Sequence, residues 1–309
     1  MTPRIAIAPE PSADWVAQAV VAGGGQVVPL AEAEALVWTA PRGADELPRL
    51  LAEAPDVRWI QLPWAGVEDF ARLGVFADDG SGRRWTCGKG VYAEPVAEHA
   101  LGLAIAGLRR FPERVQATSW GRQAGVSLYD GRVTILGAGG ITVCLVDLLR
   151  PMRTEVTVVR RDASTPFPGA ARTLGTDRLH EALPGADVVF LALSLTPETE
   201  GIIGAAELAR MEPHAWLVNV ARGRHVDTAA LVDALERRTI GGAGLDVTDP
   251  EPLPDGHPLW ARPNVVITPH TANTQEMAVP LLSARITENV RRFAAGHDLV
   301  GPVDASLGY

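Results

Sequence analysis

Residues 132–141, RVTILGAGGI, run from a β-branched strand pattern directly into Gly137, Ala138, Gly139 and Gly140, and then into an apolar helical pattern that continues to Leu149. Glycine after a strand lets the chain turn tightly and brings its backbone close to a phosphate, whose charge then faces a helix N-terminus. Strand, glycine turn and helix start in that order predict a dinucleotide site, with Gly137, Gly139, Gly140, Ile141 and Thr142 against the pyrophosphate. Thr142 replaces the third glycine of the usual spacing. It predicts either a slightly displaced helix or a hydroxyl turned toward the phosphates. At the end of the next strand pattern, where an acidic residue would take the ribose 2′-hydroxyl of NAD, the chain has Arg160 and Arg161. Guanidinium groups attract the 2′-phosphate that a carboxylate would repel, so NADP(H) is favoured over NAD(H). The alternative is that both arginines are a solvated strand end and Asp162 takes the acidic role.

Three further segments each follow a predicted strand: NVARG at 219–223, GLDV at 244–247 with Glu251-Pro252 after it, and TPH at 268–270. With HPLW at 257–260 and NVVITPH at 264–270, this order closely resembles the D-isomer-specific 2-hydroxyacid dehydrogenases, and the resemblance covers residues 59–295. Reducing a 2-oxo acid requires a cation to hold the carboxylate, a proton donor for the developing alkoxide, and a hydride donor on one face of the carbonyl. Arg222 can supply the cation, because its planar fork suits a carboxylate and can also polarise the carbonyl oxygen. His270 would be the acid in reduction and the base in oxidation, since imidazole titrates near working pH. Glu251, bonded to that imidazole, would orient the ring and favour its charged form.

The resemblance implies the same three roles. It also places Asp246 near the nicotinamide, and Leu193, Val220 and Ala221 along the cofactor by main-chain contacts. In the first part of the chain, Trp64, Ala65 and Gly66 look like the family loop whose amides cup the substrate carboxylate, and Lys89, between Gly88 and Gly90, falls in a second substrate loop. Taken singly, Arg222 reads as a surface arginine, Glu251 as a loop carboxylate, and any one of seven histidines as structural. Their joint placement is what carries the reading. Lys89 also reads as an exposed loop lysine, Trp64 as a packing residue, His257 as a surface residue in a turn, and Cys87 and Cys144 as packed thiols.

These side chains need strands to carry them. Short β-branched runs alternate with Ala- and Leu-rich amphipathic segments, which predicts an α/β protein of two Rossmann-like, doubly wound parallel-sheet domains. Apolar stretches at 5–8, 27–30, 35–39 and 58–62, with a helical pattern at 44–54, make a first series that ends near Thr86. A long helix opening at Glu94-Pro95 reads as the connector. Strand candidates at 133–136, 156–159, 188–193, 216–220, 244–247 and 265–268 then predict a second sheet of about six strands. The last helical pattern, 275–293, is expected to pack back on the first domain. Residues 1–94 with 275–309 would thus form a flavodoxin-like substrate (catalytic) domain, and 95–274 the dinucleotide-binding domain.

A chain of 309 residues exceeds what one core usually organises. Its net charge of −9 argues against nucleic-acid or anionic-lipid partners, which need a concentrated basic surface. Two cysteines without paired spacing suggest neither a disulfide framework nor a metal site, and fit a reducing compartment. No signal-peptide pattern is present, and the apolar run 100–108 is less than half of the roughly 20 residues that span a bilayer. The expectation is a cytoplasmic oxidoreductase that moves a hydride between NAD(P)H and a small 2-oxo or 2-hydroxy acid, such as glyoxylate or hydroxypyruvate. The resemblance adds a homodimer, formed through the helix after Pro95 and the loop to Trp120. Two alternatives stand beside it: a dinucleotide-sensing, corepressor-like binding protein, which would be expected to carry a basic or disordered tail, and a related formate or amino-acid dehydrogenase.

Overall fold

The computed structural model describes residues 2–40, 44–77 and 80–304. The chain divides into two compact units, residues 1–92 with 274–309 and residues 93–273. Of the range expected for the first domain, residues 1, 41–43, 78, 79 and 305–309 lie outside the described residues.

In the first unit, β1 (Arg4–Ala8), α1 (Asp14–Ala22), β2 (Gln26–Val27), β3 (Ala35–Trp38), α2 (Leu47–Glu53), β4 (Trp59–Gln61), α3 (Glu68–Arg72) and β5 (Arg84–Thr86) follow in turn. The strands pair in parallel in the order β2-β1-β3-β4-β5. β3 and β4 are buried along their whole length, as strands covered on both faces must be. The strand expected at 27–30 is shorter than its pattern and gives way to a 3-10 turn at Leu30–Glu32. Pro29 has no amide to donate to a ladder, so the edge strand stops before it.

The second unit contains α4 (Ala93–Leu108), α5 (Phe111–Val115), β6 (Arg132–Leu136), α6 (Gly140–Leu149), β7 (Glu155–Arg160), β8 (Arg172–Gly175), α7 (Leu179–Ala182), β9 (Val188–Leu191), α8 (Ala205–Leu208), β10 (Trp216–Asn219), α9 (Thr228–Glu236), β11 (Gly242–Leu245) and β12 (Val265–Ile267). Seven strands, rather than six, make its parallel sheet, in the order β12-β11-β10-β9-β6-β7-β8. The additional strand is β8, an edge strand of Arg-Thr-Leu-Gly with no apolar alternation to reveal it. The order reverses between β6 and β9, and in open α/β sheets ligands bind beyond the C-terminal strand ends at such a point. α4 packs across β10, β11 and β12. β11 permits this because its residues are small: a Cβ on Gly244 would stand 2.9 Å from the Leu103 Cβ.

The final helix, α10 (Gln275–Ala295), returns to the first unit and packs on α1, where the Thr287 hydroxyl donates to the Ala19 carbonyl at 3.0 Å. A buried polar network joins it to the sheet. Asn289 donates to Gln61 Oε1 at 2.8 Å and to the Val300 carbonyl at 2.9 Å; Thr86 Oγ1 donates to the same Gln61 oxygen at 2.8 Å. Trp59 Nε1 then donates to Thr86 Oγ1 at 2.9 Å. Each of these side chains is buried and each finds a partner, which is the condition for a stable polar core.

Candidate active site

The glycine turn after β6 contains two glycines with different reasons to be there. Gly137 has φ +110°, its amide donates to the Val159 carbonyl at 2.8 Å, and an added Cβ would run into the Ala192 carbonyl, so no other residue fits. Gly139 has an ordinary φ of −85°, and nothing lies within 4 Å of where its Cβ would stand. The surrounding protein does not demand glycine at that position; an approaching ligand would. α6 starts there with no side-chain cap and no acidic residue in its first turn, leaving the amides of Gly140, Ile141 and Thr142 to an anion. These features fit a pyrophosphate. The Thr142 side chain does not turn outward, however. It is fully buried and its hydroxyl donates to the Gly137 carbonyl at 3.1 Å, clipping the turn together where the third glycine would sit.

At the end of β7, Arg160 Nη2 donates to the Thr165 carbonyl and hydroxyl, both at 2.7 Å. Arg161 is exposed. The Asp162 carboxylate accepts hydrogen bonds from Ser164, which hold it below the usual carboxylate range. Leu193 is half-buried, and its carbonyl lies 3.2 Å from His225 Nε2. The other ring nitrogen of His225, which is fully buried, lies 2.9 Å from the Thr199 carbonyl. This histidine therefore bridges the loop of Leu193 and the turn of Arg222, a function that no sequence pattern announces.

Three loops at the C-terminal ends of β10, β11 and β12 carry the expected triad. Asn219 is buried, and it folds the first of them: its Nδ2 donates to the Arg222 carbonyl at 2.9 Å and its Oδ1 accepts from the Ala221 amide at 3.0 Å. Val220 and Ala221 are buried in that turn, and Arg222 is half-buried, with Nη1 on the Ala221 carbonyl at 2.8 Å. Gly223 lets this turn lie against the Glu251 loop, since any Cβ there would overlap the Thr248 carbonyl. Glu251 Oε1 accepts from His270 Nδ1 at 2.7 Å. That bond raises the imidazole pKa above its ordinary value, against a lowering by burial and by Arg222, and it holds the Glu251 carboxyl below the ordinary range. The Arg222 turn abuts the Glu251 loop at Gly223, and the Arg222 charge lowers both pKa values, so the three expected residues lie in one neighbourhood. His270 Nε2 remains to exchange a proton.

Asp246 is held from within the protein. It is 2% exposed, and both carboxylate oxygens are engaged within the protein: Oδ1 by the Thr268 hydroxyl at 2.6 Å and the Thr271 amide at 2.8 Å, Oδ2 by the Ala272 amide at 3.0 Å. Its carboxylate holds the His270 loop. Thr268 is reached in turn by His99 of α4, whose Nε2 lies 2.9 Å from the hydroxyl. His257 serves its own turn, with Nδ1 accepting from the Leu259 amide at 3.3 Å.

The loops singled out in the first unit are held by different means. The Trp64 ring lies 5.6 Å from that of Tyr92, the Tyr92 hydroxyl donates to the Pro63 carbonyl at 2.7 Å, and the Gly88 amide donates to the Trp64 carbonyl at 2.8 Å. Ala65 and Lys89 are exposed and Gly66 is partly so. Arg285 of α10 donates to the Cys87 and Lys89 carbonyls, each at 3.1 Å. Burial pushes the Cys87 and Cys144 thiols up, so neither is set up as a nucleophile. Among the described residues, no cluster of His, Cys, Asp and Glu could hold a metal ion, and no helix is long and apolar enough to cross a membrane.

Comparison with known proteins shows the family and the fold. The family described as D-isomer specific 2-hydroxyacid dehydrogenase, NAD binding domain, matches residues 100–272. An uncharacterized protein in the proB 3′ region of Corynebacterium melassecola is 39% identical over 299 residues, 94% of this chain and 95% of that one. The glyoxylate/hydroxypyruvate reductase A of Photorhabdus laumondii is 32% identical over 217 residues, 69% of this chain and 68% of that one. A D-isomer specific 2-hydroxyacid dehydrogenase from Xanthobacter autotrophicus Py2, solved with NADPH and MES, superposes over the whole of both chains with a TM-score of 0.85 and 27% identity.

Proposed function

The chain belongs to the D-isomer-specific 2-hydroxyacid dehydrogenase family, and from that premise we propose that it reduces small 2-oxo acids of the glyoxylate or hydroxypyruvate kind with NADPH. The observation that carries this reading is the Glu251–His270 pair at 2.7 Å with the Arg222 charge bearing on both. Arg222 binds the substrate carboxylate and draws charge onto the carbonyl oxygen. His270 delivers its Nε2 proton to that oxygen as it becomes an alkoxide, and Glu251 keeps the ring charged and aimed. A bound nicotinamide supplies the hydride. The amides at the start of α6, with Gly137 and Gly139 behind them, hold the pyrophosphate, and the main chain at Leu193, Val220 and Ala221 lines the rest of the dinucleotide. In the first unit, the backbone of Trp64, Ala65 and Gly66 forms the expected substrate loop, and Lys89 adds positive charge to the adjoining loop of Gly88 and Gly90.

The preference for NADPH rests on β7. Arg160 is braced against Thr165 while Arg161 is exposed, and Asp162 is turned into its own loop, an arrangement that suits guanidinium contact with a ribose 2′-phosphate. The Xanthobacter protein was solved with NADPH. In the second unit, Trp120, Val115 and Phe111 are 91%, 84% and 53% exposed; apolar side chains so bare in one short segment suit cover by a second copy of the chain. The free thiols of Cys87 and Cys144 suit the cytoplasm.

The test follows NADPH and NADH oxidation with glyoxylate, hydroxypyruvate and pyruvate in turn. Turnover of at least one acid, faster with NADPH, is expected. Tight dinucleotide binding without turnover of any of them would instead indicate a sensor.

A further inference from the structure

We infer that His99, on α4, is a positioning residue for His270: it fixes the Thr268 hydroxyl, which aligns the Asp246 carboxylate that carries the His270 loop. This rests on the reading of His270 as the acid of the reaction.

Thr268 Oγ1 lies 2.6 Å from Asp246 Oδ1 and 2.9 Å from His99 Nε2. An ionised carboxylate only accepts, so the Thr268 proton must point at Asp246. The hydroxyl oxygen then has only lone pairs left for the imidazole, and His99 must carry its proton on Nε2. The result is a one-way chain of donors, from His99 to Thr268 to Asp246. His99 Nε2 also stands 3.5 Å from the same Asp246 oxygen.

Beyond Asp246 the chain spreads into the loop. Its carboxylate accepts from the Thr271 and Ala272 amides, and its carbonyl accepts from the His270 amide at 2.8 Å. Three consecutive residues thus hang from one buried aspartate. They need such support, because His270 has φ +52°, a left-handed conformation that a residue with a side chain keeps only where its surroundings over-determine it. With the support weakened, the loop relaxes, the ring leaves the Glu251 carboxylate, and the proton is no longer raised and aimed. α4 is a firm anchor for this purpose: 16 residues long, packed across the three strands whose ends carry the triad.

The test uses the whole protein with three readouts: kcat and KM for the 2-oxo acid, the pH profile of reduction, and titration of the His270 imidazole by NMR without substrate. His99→Leu keeps bulk and removes the donor. It is expected to lower kcat roughly ten- to hundredfold, as a small misplacement of a reacting group does, with the KM for NADPH unchanged and the His270 titration moved toward that of a free imidazole. His99→Gln, whose amide can donate to Thr268, should restore most of both. Wild-type kcat and an unmoved His270 titration in His99→Leu would overturn the inference. Should that variant not fold, Thr268→Val against Thr268→Ser makes the same comparison through the hydroxyl itself. If the wild type turns over no 2-oxo acid, the proposed function fails, while the NMR titration still decides whether His99 positions His270.

Discussion

The two units share one architecture but bury their polar side chains in different places. In the first, Gln61, Thr86 and Asn289 meet inside the core and bind α10 to the sheet, while the loops beyond β4 and β5 are held largely through carbonyl groups. In the second, Asn219, His225 and Asp246 lie at strand ends, and each holds a loop. The first arrangement closes a discontinuous chain. The second fixes the loops of the proposed reacting groups in one geometry. A buried network is costly to leave half-satisfied, so its location marks where a fold tolerates least movement. In the first unit that place is the seam between α10 and the sheet; in the second it is the set of loops that carry Arg222, Glu251 and His270.

Substitutions can break or sharpen that contrast. The largest effect is expected at His270→Ala, which should lower reduction by about 10² to 10⁴-fold, as loss of a general acid does, without shifting the thermal midpoint. An equal loss of stability would mean that His270 is a structural residue. Next comes Asn289→Ala in the first unit. It leaves Gln61 Oε1 and the Val300 groups short of partners, and should cost about 1–3 kcal/mol in urea unfolding while the folded protein keeps its kcat. A kcat loss without destabilisation there would erase the contrast.

The smallest effect is a shift along the pH axis. Reduction needs a protonated imidazole, and the Glu251 carboxylate raises the His270 pKa. Activity should therefore persist above the pH at which an ordinary histidine loses its proton, and fall as pH rises through the raised value. Glu251→Gln removes the raising charge and should move that falling limb to lower pH, with the least difference where both rings are protonated. A limb that stays in place would show that some other group controls it.

Much of this was legible in the sequence, for a physical reason. The Gly137–Gly139 turn, Arg222, Glu251 and His270 all lie where a strand pattern ends, and parallel strands deliver such ends to one edge of a sheet. β8 was not legible, because an edge strand of Arg-Thr-Leu-Gly carries no alternation. β11 begins two residues before its pattern does, since glycine and alanine leave no periodic trace. The bonds that Thr142 and Asp246 make to the protein's own backbone were not legible either: the sequence left the direction of the Thr142 hydroxyl open, and the resemblance said of Asp246 only that it lies near the nicotinamide. His99 lies 169 residues from Thr268, and nothing along the chain announces a contact that only the packing of α4 on the sheet creates. Side-chain type and local pattern point to the proposed reacting groups, but the groups that hold them are chosen by tertiary packing.

The discontinuity of the first unit has a temporal meaning. Its five strands leave the ribosome by Thr86, whereas the helix that covers α1 begins only at Gln275, by which time the intervening unit has emerged whole. At roughly 5–20 residues per second the wait is on the order of ten to forty seconds, with the apolar side of α1 uncovered throughout. The part made first is therefore finished last. Nascent chains stalled before α10 emerges should present a folded second unit attached to a sticky, chaperone-seeking N-terminal segment.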